Sequence, residues 1–553
     1  NKTLDHRVYC DMDEEILDRV FGTMLRNYRK KLDWVVERRR LTFEEALAGI
    51  PGKLASLKIG SSAGYPLCKI SRRPGKKDYF WFDRNGNLEY SNLFKDMVME
   101  RYNKVLDPDA EVEYGRYLVY LKDELISSKK LKEKRCRLVY GADLIEVVVS
   151  RMLFGSLMAA FNNSNRNLPS AVGLNQYSHD LHVMYDYLTE VGFNFFGGDL
   201  KNMDQTIPPQ VKRHAYKLIM DLAGDLVPEI IKDKYIDGLC NSPCQFLDMM
   251  IYFVCMQYSG NVWTTFSNCF SHEGMQRYAF NKIYPQLSYD DNVRTKLVGD
   301  DFITSVSDLC KEKFGPFELR DEYARFGVVL TSDDKAGELS GEFRRYEDIS
   351  FLGSYPVSVN GKYCGALKKD SLEETLHWTR DNNLTFMDKV RAALESASVW
   401  EEEYYDQMCK VVDSALSLVY DIPLVMPGWK EMRTIVANRI TQSGLTSGFV
   451  AQGPGQPSLV NLNMDKTTIG NRLFSSAGLE RLKNKALNEK DLSLTFGTES
   501  HIYRNEFLWT TSQVQGTVLF NWKSPFDVLS QGDTDNVQNM PFTRFQFWQG
   551  DVE

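Results

Sequence analysis

The sequence predicts an α+β fold, in which helices and short antiparallel hairpins are followed by a separate β-rich segment. Helical periodicity covers about residues 10–50 and, much later, residues 371–419. Between these stretches, short apolar runs end in Gly-Asp or Ser-Gly turns, a pattern typical of hairpins. Near the end of the chain, apolar and polar residues alternate as they do in strands, at Val518, Phe520 and Trp522 and again at Phe545 and Phe547.

Composition and charge exclude several classes of protein. The chain has 553 residues, of which 43% are hydrophobic and 26% charged, enough for more than one domain. No apolar run approaches the roughly 18 residues of a membrane span and no secretory signal opens the chain, so we expect no transmembrane segment. The ten Cys form no Cys-x-x-Cys pair and no cluster with His, which argues against a zinc site or a disulfide framework. With a net charge of −8, any basic surface must be local.

The densest positive charge lies in KKLKEKRCR, residues 129–137, which holds six Lys or Arg and one acid, Glu133. Such a run is usually a solvated face. The basic residues alternate with Leu131, Cys136 and Leu138, however, which favours an extended arm that presents charge on one side. An arm of this kind suits phosphate binding.

Two segments place carboxylates at the ends of predicted strands. GFNFFGGDLKNMDQTIPPQ, residues 192–210, contains an aromatic strand that ends at Asp199, with Asp204 five residues later. Its prolines introduce a helix with apolar residues at helical spacing. KLVGDD, residues 296–301, follows the order strand, Gly-Asp-Asp turn, strand.

Four further segments with loop, turn or hairpin patterns precede the predicted linker. SSAGYPL, residues 61–67, interrupts the first helical stretch. Residues 258–280 form a Ser-Gly loop that runs into a helix, and residues 326–338 form a strand that ends in a polar turn with Lys335. Residues 349–357 resemble another hairpin. The Gly-, Ser-, Gln- and Pro-rich stretch that follows the last helical stripe is predicted to be a linker.

Asp199, Asp300 and Asp301 form the candidate metal site. Mg²⁺ takes oxygen ligands and prefers one or two protein carboxylates. Nucleotidyl transfer needs two divalent cations about 3.5–4 Å apart, which activate the attacking oxygen and neutralise the leaving one. If the two strands are neighbours, Asp199 and Asp300 would be the ligands and Asp301 an auxiliary one. A Gly-Asp pair is also common in turns that have no catalytic role, so the alternative is that these carboxylates only cap turns.

Six segments, taken in order, resemble the RNA-dependent RNA polymerases of positive-strand RNA viruses, specifically the picorna-like group. They cover roughly residues 61–355, with a helical thumb to about residue 440. SSAGYP resembles the loop where template enters, and KDEL…KRCRL the basic finger arm over the nucleotide channel. DLKNMD and SGNVWTTFSN resemble the first two palm motifs. VGDD resembles the catalytic hairpin, and LTSDDK with FLGSY the last palm elements.

The resemblance implies a right-hand polymerase with fingers, palm and thumb around an antiparallel palm sheet, followed by a partial jelly roll. NEFLWTTSQVQGTVLFNWKSPFDVL and NMPFTRFQFWQGDV resemble the opening strands of a picorna-like capsid protein. The implied domains are N-terminally truncated fingers at 1–190, a palm with inserted finger elements at 191–355, a helical thumb at 356–440, a linker at 441–460 and a capsid-like β segment at 461–553.

The resemblance also implies a role for each candidate residue. Two Mg²⁺ or Mn²⁺ ions would bind the three carboxylates, and Lys335 would protonate departing pyrophosphate, unless it is a solvated turn lysine. Asp204, Ser259 and Asn268 would sense the ribose 2′-OH, with Thr264 as a spacer or hydrogen-bond partner. The triphosphate of the NTP would be bound by Lys122, Lys130 and Arg137. Template RNA would be contacted by Ser61, Ser62 and Gly260.

The implied partners are template and product RNA, NTPs, a small genome-linked protein as primer, and a viral cysteine protease. That protease would cut at Gln442–Ser443 or at Gln452–Gly453, both in the linker. The implied location is the host cytoplasm at membrane-associated replication complexes, with the capsid-like segment destined for the virion. Two alternatives stay open: a reverse transcriptase, which would carry a bulky aromatic at the position of Asp204, and a structural capsid protein, which fits only the last hundred or so residues.

Overall fold

The computed structural model describes residues 11–111, 115–122, 132, 136–247, 249–253, 255–335, 337–377, 386–420, 424, 426–443, 506–512 and 517–523. These residues cluster into two compact units. The first contains the described residues up to Leu121 and from Leu138 to Pro356. The second contains those of Lys122–Arg137, of Val357–Ser443 and of the two strands beyond residue 500.

The first unit combines helices with three small sheets. Its helices are α1 Glu14–Lys31, α2 Phe43–Ala48, α3 Leu67–Ile70, α4 Asn92–Leu106, α5 Leu144–Asn163, α6 Asp180–Thr189, α7 Met203–Thr206, α8 Pro209–Ala223, α9 Glu229–Asn241, α10 Thr264–Ile283, α11 Tyr289–Asn292 and α12 Pro316–Arg325, with 3₁₀ turns at Gly224–Leu226 and Tyr346–Asp348. Its strands are β1 Phe80–Phe82, β2 Leu88–Tyr90, β3 Tyr117–Leu121, β4 Leu138–Gly141, β5 Asn194–Leu200, β6 Pro243–Phe246, β7 Met249–Tyr252, β8 Val293–Val298, β9 Asp301–Val306 and β10 Leu330–Thr331.

The central sheet has the strand order β10-β5-β9-β8, and all its pairs are antiparallel. Asp199 of β5 lies opposite Asp301 of β9, and Asp301 also lies opposite Val298 of β8. The predicted antiparallel sheet is therefore confirmed, and so is the expectation that the Asp199 strand neighbours the Gly-Asp-Asp hairpin.

A second sheet has the order β4-β3-β6-β7 and is mixed, because β3 and β6 run parallel while the other pairs are antiparallel. Tyr117 and Tyr140 from this sheet pack against the buried ring of Tyr258. Since Tyr258 directly precedes the Ser-Gly loop, this packing holds the start of that loop against the sheet.

The first stretch of helical periodicity is interrupted in the structure. Helix α1 ends at Lys31, and a new helix begins only at Phe43. Thr42 and Glu45 form a reciprocal capping box, which favours a helix start at this point. The β-branched pair Val35 and Val36 lies in the intervening segment, where stiff side chains lower helix propensity.

Helix α5 is long and apolar enough to cross a membrane, the one such helix in the part of the chain that the structure describes. Within the first unit, however, 89% of its most apolar window is buried. It is apolar on all sides because it forms the centre of the core, where residues such as Leu153, Phe154 and Leu157 are fully buried.

The second unit contains α13 Lys369–His377, α14 Phe386–Ala397, α15 Glu402–Tyr420 and α16 Trp429–Ser443. The hairpin of β11 Ser354–Val359 and β12 Lys362–Leu367 begins at the boundary between the units, which falls after Pro356. Within the described residues, the helical periodicity predicted for residues 371–419 is confirmed as parts of three helices, and residues 378–385 lie outside the described residues. The indole of Trp400 donates to the Leu367 carbonyl at 2.8 Å and so ties the helices to the hairpin.

The last strands of the second unit are β13 Glu506–Ser512 and β14 Thr517–Lys523, which pair antiparallel. The predicted alternation of Val518, Phe520 and Trp522 falls on β14. The second predicted alternation, at Phe545 and Phe547, lies outside the described residues, and the capsid-like jelly roll stays a prediction. The proposed fingers, palm, thumb and linker boundaries also stay predictions.

Candidate active site

Three carboxylates meet at one end of the central sheet. Asp199 is near the end of β5, Asp301 opens β9, and Asp300 lies in the turn between β8 and β9. One carboxylate oxygen from each residue lies within 4.8 Å of the others. Strand register alone brings Asp199 and Asp301 together, because they are directly paired.

The turn that carries Asp300 is tight and is held to β5 by a hydrogen bond. Gly299 and Asp300 are its two central residues, and Gly299 has φ +65°, a conformation that glycine adopts without steric penalty. The Leu200 amide donates to the Asp300 carbonyl at 3.2 Å, which fixes the turn to β5.

Close packing of like charges perturbs these carboxyl groups. Burial raises the pKa of Asp300, and the charges of Asp199 and Asp301 raise it further. Burial also raises the pKa of Asp301, with Asp199 adding to the effect and Lys335 opposing it. A cluster of this kind favours a bound cation, which relieves the repulsion. Since carboxylate oxygens are the ligands that Mg²⁺ and Mn²⁺ take, the donor set fits a divalent ion.

Lys335 lies beside the carboxylates. Its Nζ is 2.8 Å from Oδ1 of Asp199 and 3.5 Å from Oδ1 of Asp301. Burial alone would lower the pKa of Lys335, but the hydrogen bond to Asp199 and the neighbouring negative charges raise it overall. The ammonium group is therefore charged and touches two of the three metal-ligand candidates.

The turn that holds Lys335 is anchored by a buried ion pair. Asp333 is 4% exposed; one of its oxygens accepts from the guanidinium of Arg344 and the other from the Ser350 amide at 2.6 Å. Arg344 is itself joined to β5, since its amide donates to the Phe195 carbonyl at 2.8 Å. This network ties the lysine-bearing turn to the sheet that carries Asp199.

Asp204 and Asn268, two of the predicted ribose-sensing residues, are in direct contact. The Asn268 side-chain amide donates to Oδ1 of Asp204 at 2.8 Å. The Gln257 amide donates to the Asp204 carbonyl at 3.0 Å, which holds the start of α7 against the segment before the Ser-Gly loop. The arrangement leaves the Asn268 side-chain oxygen buried and without a protein donor among the described residues.

Ser259, Gly260 and Thr264 form the connection into α10. The hydroxyl of Ser259 accepts from the Tyr140 amide of β4 at 3.1 Å, and a Cβ on Gly260 would lie 2.0 Å from the Tyr140 carbonyl oxygen. Thr264 donates to the Tyr258 carbonyl at 2.6 Å. In this structure, Ser259 and Thr264 brace the loop, and glycine at 260 is required for the close approach to β4.

Ser61 and Ser62 are both exposed, in the loop before α3. Ser61 donates to the Lys58 carbonyl at 3.0 Å, and its own carbonyl accepts from the buried ammonium of Lys76 at 2.9 Å. The hydroxyl of Ser62 accepts from the Gly64 amide at 3.1 Å. The loop is thus internally braced, with its outer surface exposed to solvent.

Two of the candidate triphosphate-binding residues, Lys122 and Arg137, belong to the second unit. The Lys122 amide donates to the Arg137 carbonyl at 2.7 Å, so the two residues lie opposite each other. Lys130, Gln452 and Gly453 lie outside the described residues. Gln442 and Ser443 form the end of α16.

Sequence reasoning missed several residues that support the site, among them Asp333, Arg344, Cys269 and His272. Cys269 and His272 could have been suspected from one feature, because α10 carries polar side chains on every face although it is almost fully buried. Buried polar groups need specific partners, and here the partners belong to the catalytic turn.

Comparisons with known proteins agree with this geometry. A family model described as viral RNA-dependent RNA polymerase matches residues 7–416. In the solved structure of a Sicinivirus 3Dpol RNA-dependent RNA polymerase, 87% of the chain superposes on 79% of this one, with a TM-score of 0.63 and 20% identity. The right-hand polymerase fold predicted from the sequence is thereby confirmed for the part before the tail.

Curated relatives are polyproteins of picorna-like viruses. The Nora virus replication polyprotein is 27% identical over 64% of this chain, and the Drosophila C virus replicase polyprotein is 22% identical over 74%. The deformed wing virus genome polyprotein is 22% identical over 71%. These matches span 17%, 25% and 14% of the respective relatives. Because the family model covers most of its length, this chain belongs to the viral RNA-dependent RNA polymerase family.

Proposed function

We propose that the chain catalyses RNA-templated transfer of nucleotides from NTPs to an RNA 3′-OH, in the replication of a positive-strand RNA genome. The observation that carries this proposal is the cluster of three carboxylates, within 4.8 Å of one another, on the sheet of a chain from this family. Two divalent ions, Mg²⁺ or Mn²⁺, would bind Asp199 and Asp300, with Asp301 as an auxiliary ligand. When bound, such ions activate the attacking hydroxyl and neutralise charge on the leaving group.

Lys335 would act as the general acid that protonates the departing pyrophosphate. Its pKa is raised, so it carries the proton at neutral pH, and its side chain is 54% exposed, which leaves room to turn toward a substrate. Its ammonium group contacts Oδ1 of Asp199 and of Asp301, so a metal ion that bound these oxygens would displace it. General-acid assistance of this kind contributes about 10²–10⁴ in rate.

The pair Asp204 and Asn268 would select ribose. A 2′-hydroxyl both donates and accepts hydrogen bonds, so a carboxylate beside an amide can recognise it. The hydrogen bond that already joins the two side chains holds them in one orientation. Arg137, Lys122 and Lys130 would bind the triphosphate, where the planar guanidinium of Arg137 suits phosphate.

The main alternative is a reverse transcriptase, which a small side chain at position 204 disfavours. The test is primer extension on an RNA template, with the four NTPs or the four dNTPs and Mg²⁺. We expect templated extension with NTPs and little with dNTPs. Preferred use of dNTPs would favour the reverse transcriptase. No extension with either set of nucleotides would contradict both polymerase functions and leave the capsid interpretation, which concerns the tail.

Processing, priming and location extend the proposal beyond the catalytic site. A cysteine protease would separate the polymerase from the tail at Gln442–Ser443 or Gln452–Gly453. The first bond lies in the last turn of α16, which would have to unwind because proteases bind extended segments. A small genome-linked protein would prime synthesis at membrane-associated complexes in the host cytoplasm, and the tail would enter the virion. Mass spectrometry of the products after incubation with the cognate protease would identify the bond.

A further inference from the structure

Helix α10 contacts both backbone polar groups of Gly299 in the catalytic turn. The imidazole Nδ1 of His272 lies 2.9 Å from the Gly299 carbonyl oxygen. The Gly299 amide points at the sulfur of Cys269, at 3.4 Å, and the same sulfur lies 3.5 Å from the Leu297 carbonyl oxygen. Both side chains are buried, with His272 at 0% and Cys269 at 1% exposure.

The contact defines the protonation state of the imidazole. A carbonyl oxygen can only accept, so Nδ1 must carry a proton and donate it. Burial lowers the pKa of His272 to about 4, which keeps the ring neutral under ordinary conditions. The ring also packs edge-on against Phe302 of β9, with ring centroids 4.9 Å apart, and this contact fixes its orientation.

Strand pairing and the hydrogen bond from Leu200 to Asp300 hold the ends of the turn, and the Gly299 carbonyl between them meets His272. Glycine tolerates a wide range of backbone angles, and a Cβ on Gly299 would have no atom within 4 Å. No contact of a side chain at position 299 therefore restrains the turn. The hydrogen bond from the buried imidazole of His272 acts directly on the carbonyl of the Gly299–Asp300 peptide and so favours one orientation of it.

We propose that His272 is a positioning residue: by donating to the Gly299 carbonyl, it sets the orientation of the Gly299–Asp300 peptide and thereby aims the Asp300 carboxylate at the metal site. This inference rests on the proposed function. Because Asn268 lies one helical turn earlier on α10, the same helix also holds the side chain of Asp204. Helix α10 thus aligns the ribose-sensing pair with the metal-binding turn.

The test compares two substitutions of His272. In His272→Asn, the side-chain amide nitrogen is as many bonds from Cα as Nδ1, so a donor to Gly299 is retained. In His272→Leu, the side chain is similar in volume but has no donor. His214→Leu is the matched control, because Nδ1 of His214 also contacts a backbone carbonyl, that of Gln210 at 2.9 Å, on a different helix.

Two measurements are made on each variant. Hydrogen exchange followed by mass spectrometry reports the protection of the peptide covering residues 297–303, with no need for activity. Primer extension reports kcat, the KM for NTP and the Mg²⁺ concentration that gives half the maximal rate.

We expect His272→Leu to exchange at least about tenfold faster in this peptide, as the loss of one buried hydrogen bond implies. It should also lower kcat and raise the Mg²⁺ requirement severalfold while KM for NTP stays nearly constant. His272→Asn should restore both protection and Mg²⁺ requirement, and His214→Leu should change neither.

Unchanged protection of residues 297–303 in His272→Leu would overturn the inference, whether or not the protein polymerises RNA. Equal defects in His272→Leu and His272→Asn would do the same, because volume rather than the hydrogen bond would then matter. An inactive wild type with the expected exchange pattern would refute the proposed function and leave the positioning contact established.

Discussion

The three carboxylates and Lys335 share one site, yet the chain holds them in different ways. Asp199 and Asp301 are paired strand residues, and the Asp300 turn is pinned to β5 by a backbone hydrogen bond. Lys335 instead extends from a turn after the two-residue strand β10, and its side chain is about half exposed. Backbone pairing fixes the metal-ligand candidates, whereas the lysine lies in a turn outside the paired strands, and its side chain is held by ion pairs.

This difference separates two kinds of catalytic contribution. Ligands to a metal must keep their positions throughout the reaction, so they are best placed on paired strands. A proton donor must reach the leaving group, so it gains from a side chain that can change partners. Carboxylate substitutions should therefore abolish activity, and lysine substitutions should only slow it.

The largest effect is expected from Asp199→Ala or Asp300→Ala. Either change removes a proposed metal ligand, and we expect elongation to fall by at least about 100-fold. Asp308→Ala is the matched control, because that carboxylate follows β9 but is 84% exposed. Primer extension and thermal melting should be measured together. More than a tenth of wild-type elongation in either site variant would refute the assignment.

Lys335→Ala should reduce single-turnover nucleotide addition by about 100-fold, within the range of general-acid catalysis. KM for NTP should change little if, as proposed, the lysine acts on the leaving group. Lys311→Ala is a suitable control, because Lys311 is also partly exposed and paired with a carboxylate, Asp308. If the two lysine variants were equally active, Lys335 would be a solvated turn residue.

Asp333→Asn should reduce the rate by about tenfold, because it weakens the ion pair with Arg344 that anchors the lysine-bearing turn. The single-turnover rate of the double variant Asp333→Asn/Lys335→Ala should then be compared with the rates of the two single variants. If Asp333 acts by placing Lys335, its substitution should have almost no further effect once the lysine is gone. Fully additive losses in single-turnover rate would show that Asp333 stabilises the sheet independently of the lysine.

The smallest effect is expected for sugar choice. Asp204→Ala or Asn268→Ala should narrow the preference for NTPs over dNTPs by about 3–10-fold, as the loss of one hydrogen-bonding partner implies. The overall rate with NTPs should fall by less. Asn281→Ala, on the same helix, provides the control. An unchanged ratio of kcat/KM for NTP and dNTP in both site variants would remove Asp204 and Asn268 from sugar selection.

The sequence alone was sufficient for the parts of the site that depend on local pattern. A strand that ends at Asp199 and a Gly-Asp-Asp hairpin are short-range features, and antiparallel pairing then brings the carboxylates together. The helix after Pro208 was predictable because its apolar residues follow a period of 3.6.

Contacts between distant segments could not be predicted in the same way. Asp333 meets Arg344 and Ser350 through loops whose paths no periodicity describes. His272 reaches Gly299 only because α10 packs against the back of the hairpin. The structure also gives Gly260 a packing requirement against β4 that a single sequence cannot reveal, and its contact with template RNA stays a prediction.

The most direct test of this account is the number of Mn²⁺ ions bound in the presence of primer–template RNA and a non-reactive NTP analogue, measured by electron paramagnetic resonance. We predict two bound ions for the wild type, and fewer or much weaker binding for Asp199→Ala and Asp300→Ala, with Asp308→Ala unchanged. Equal numbers and affinities in the wild type and both site variants would contradict the assignment of the β5 and turn carboxylates as the metal site.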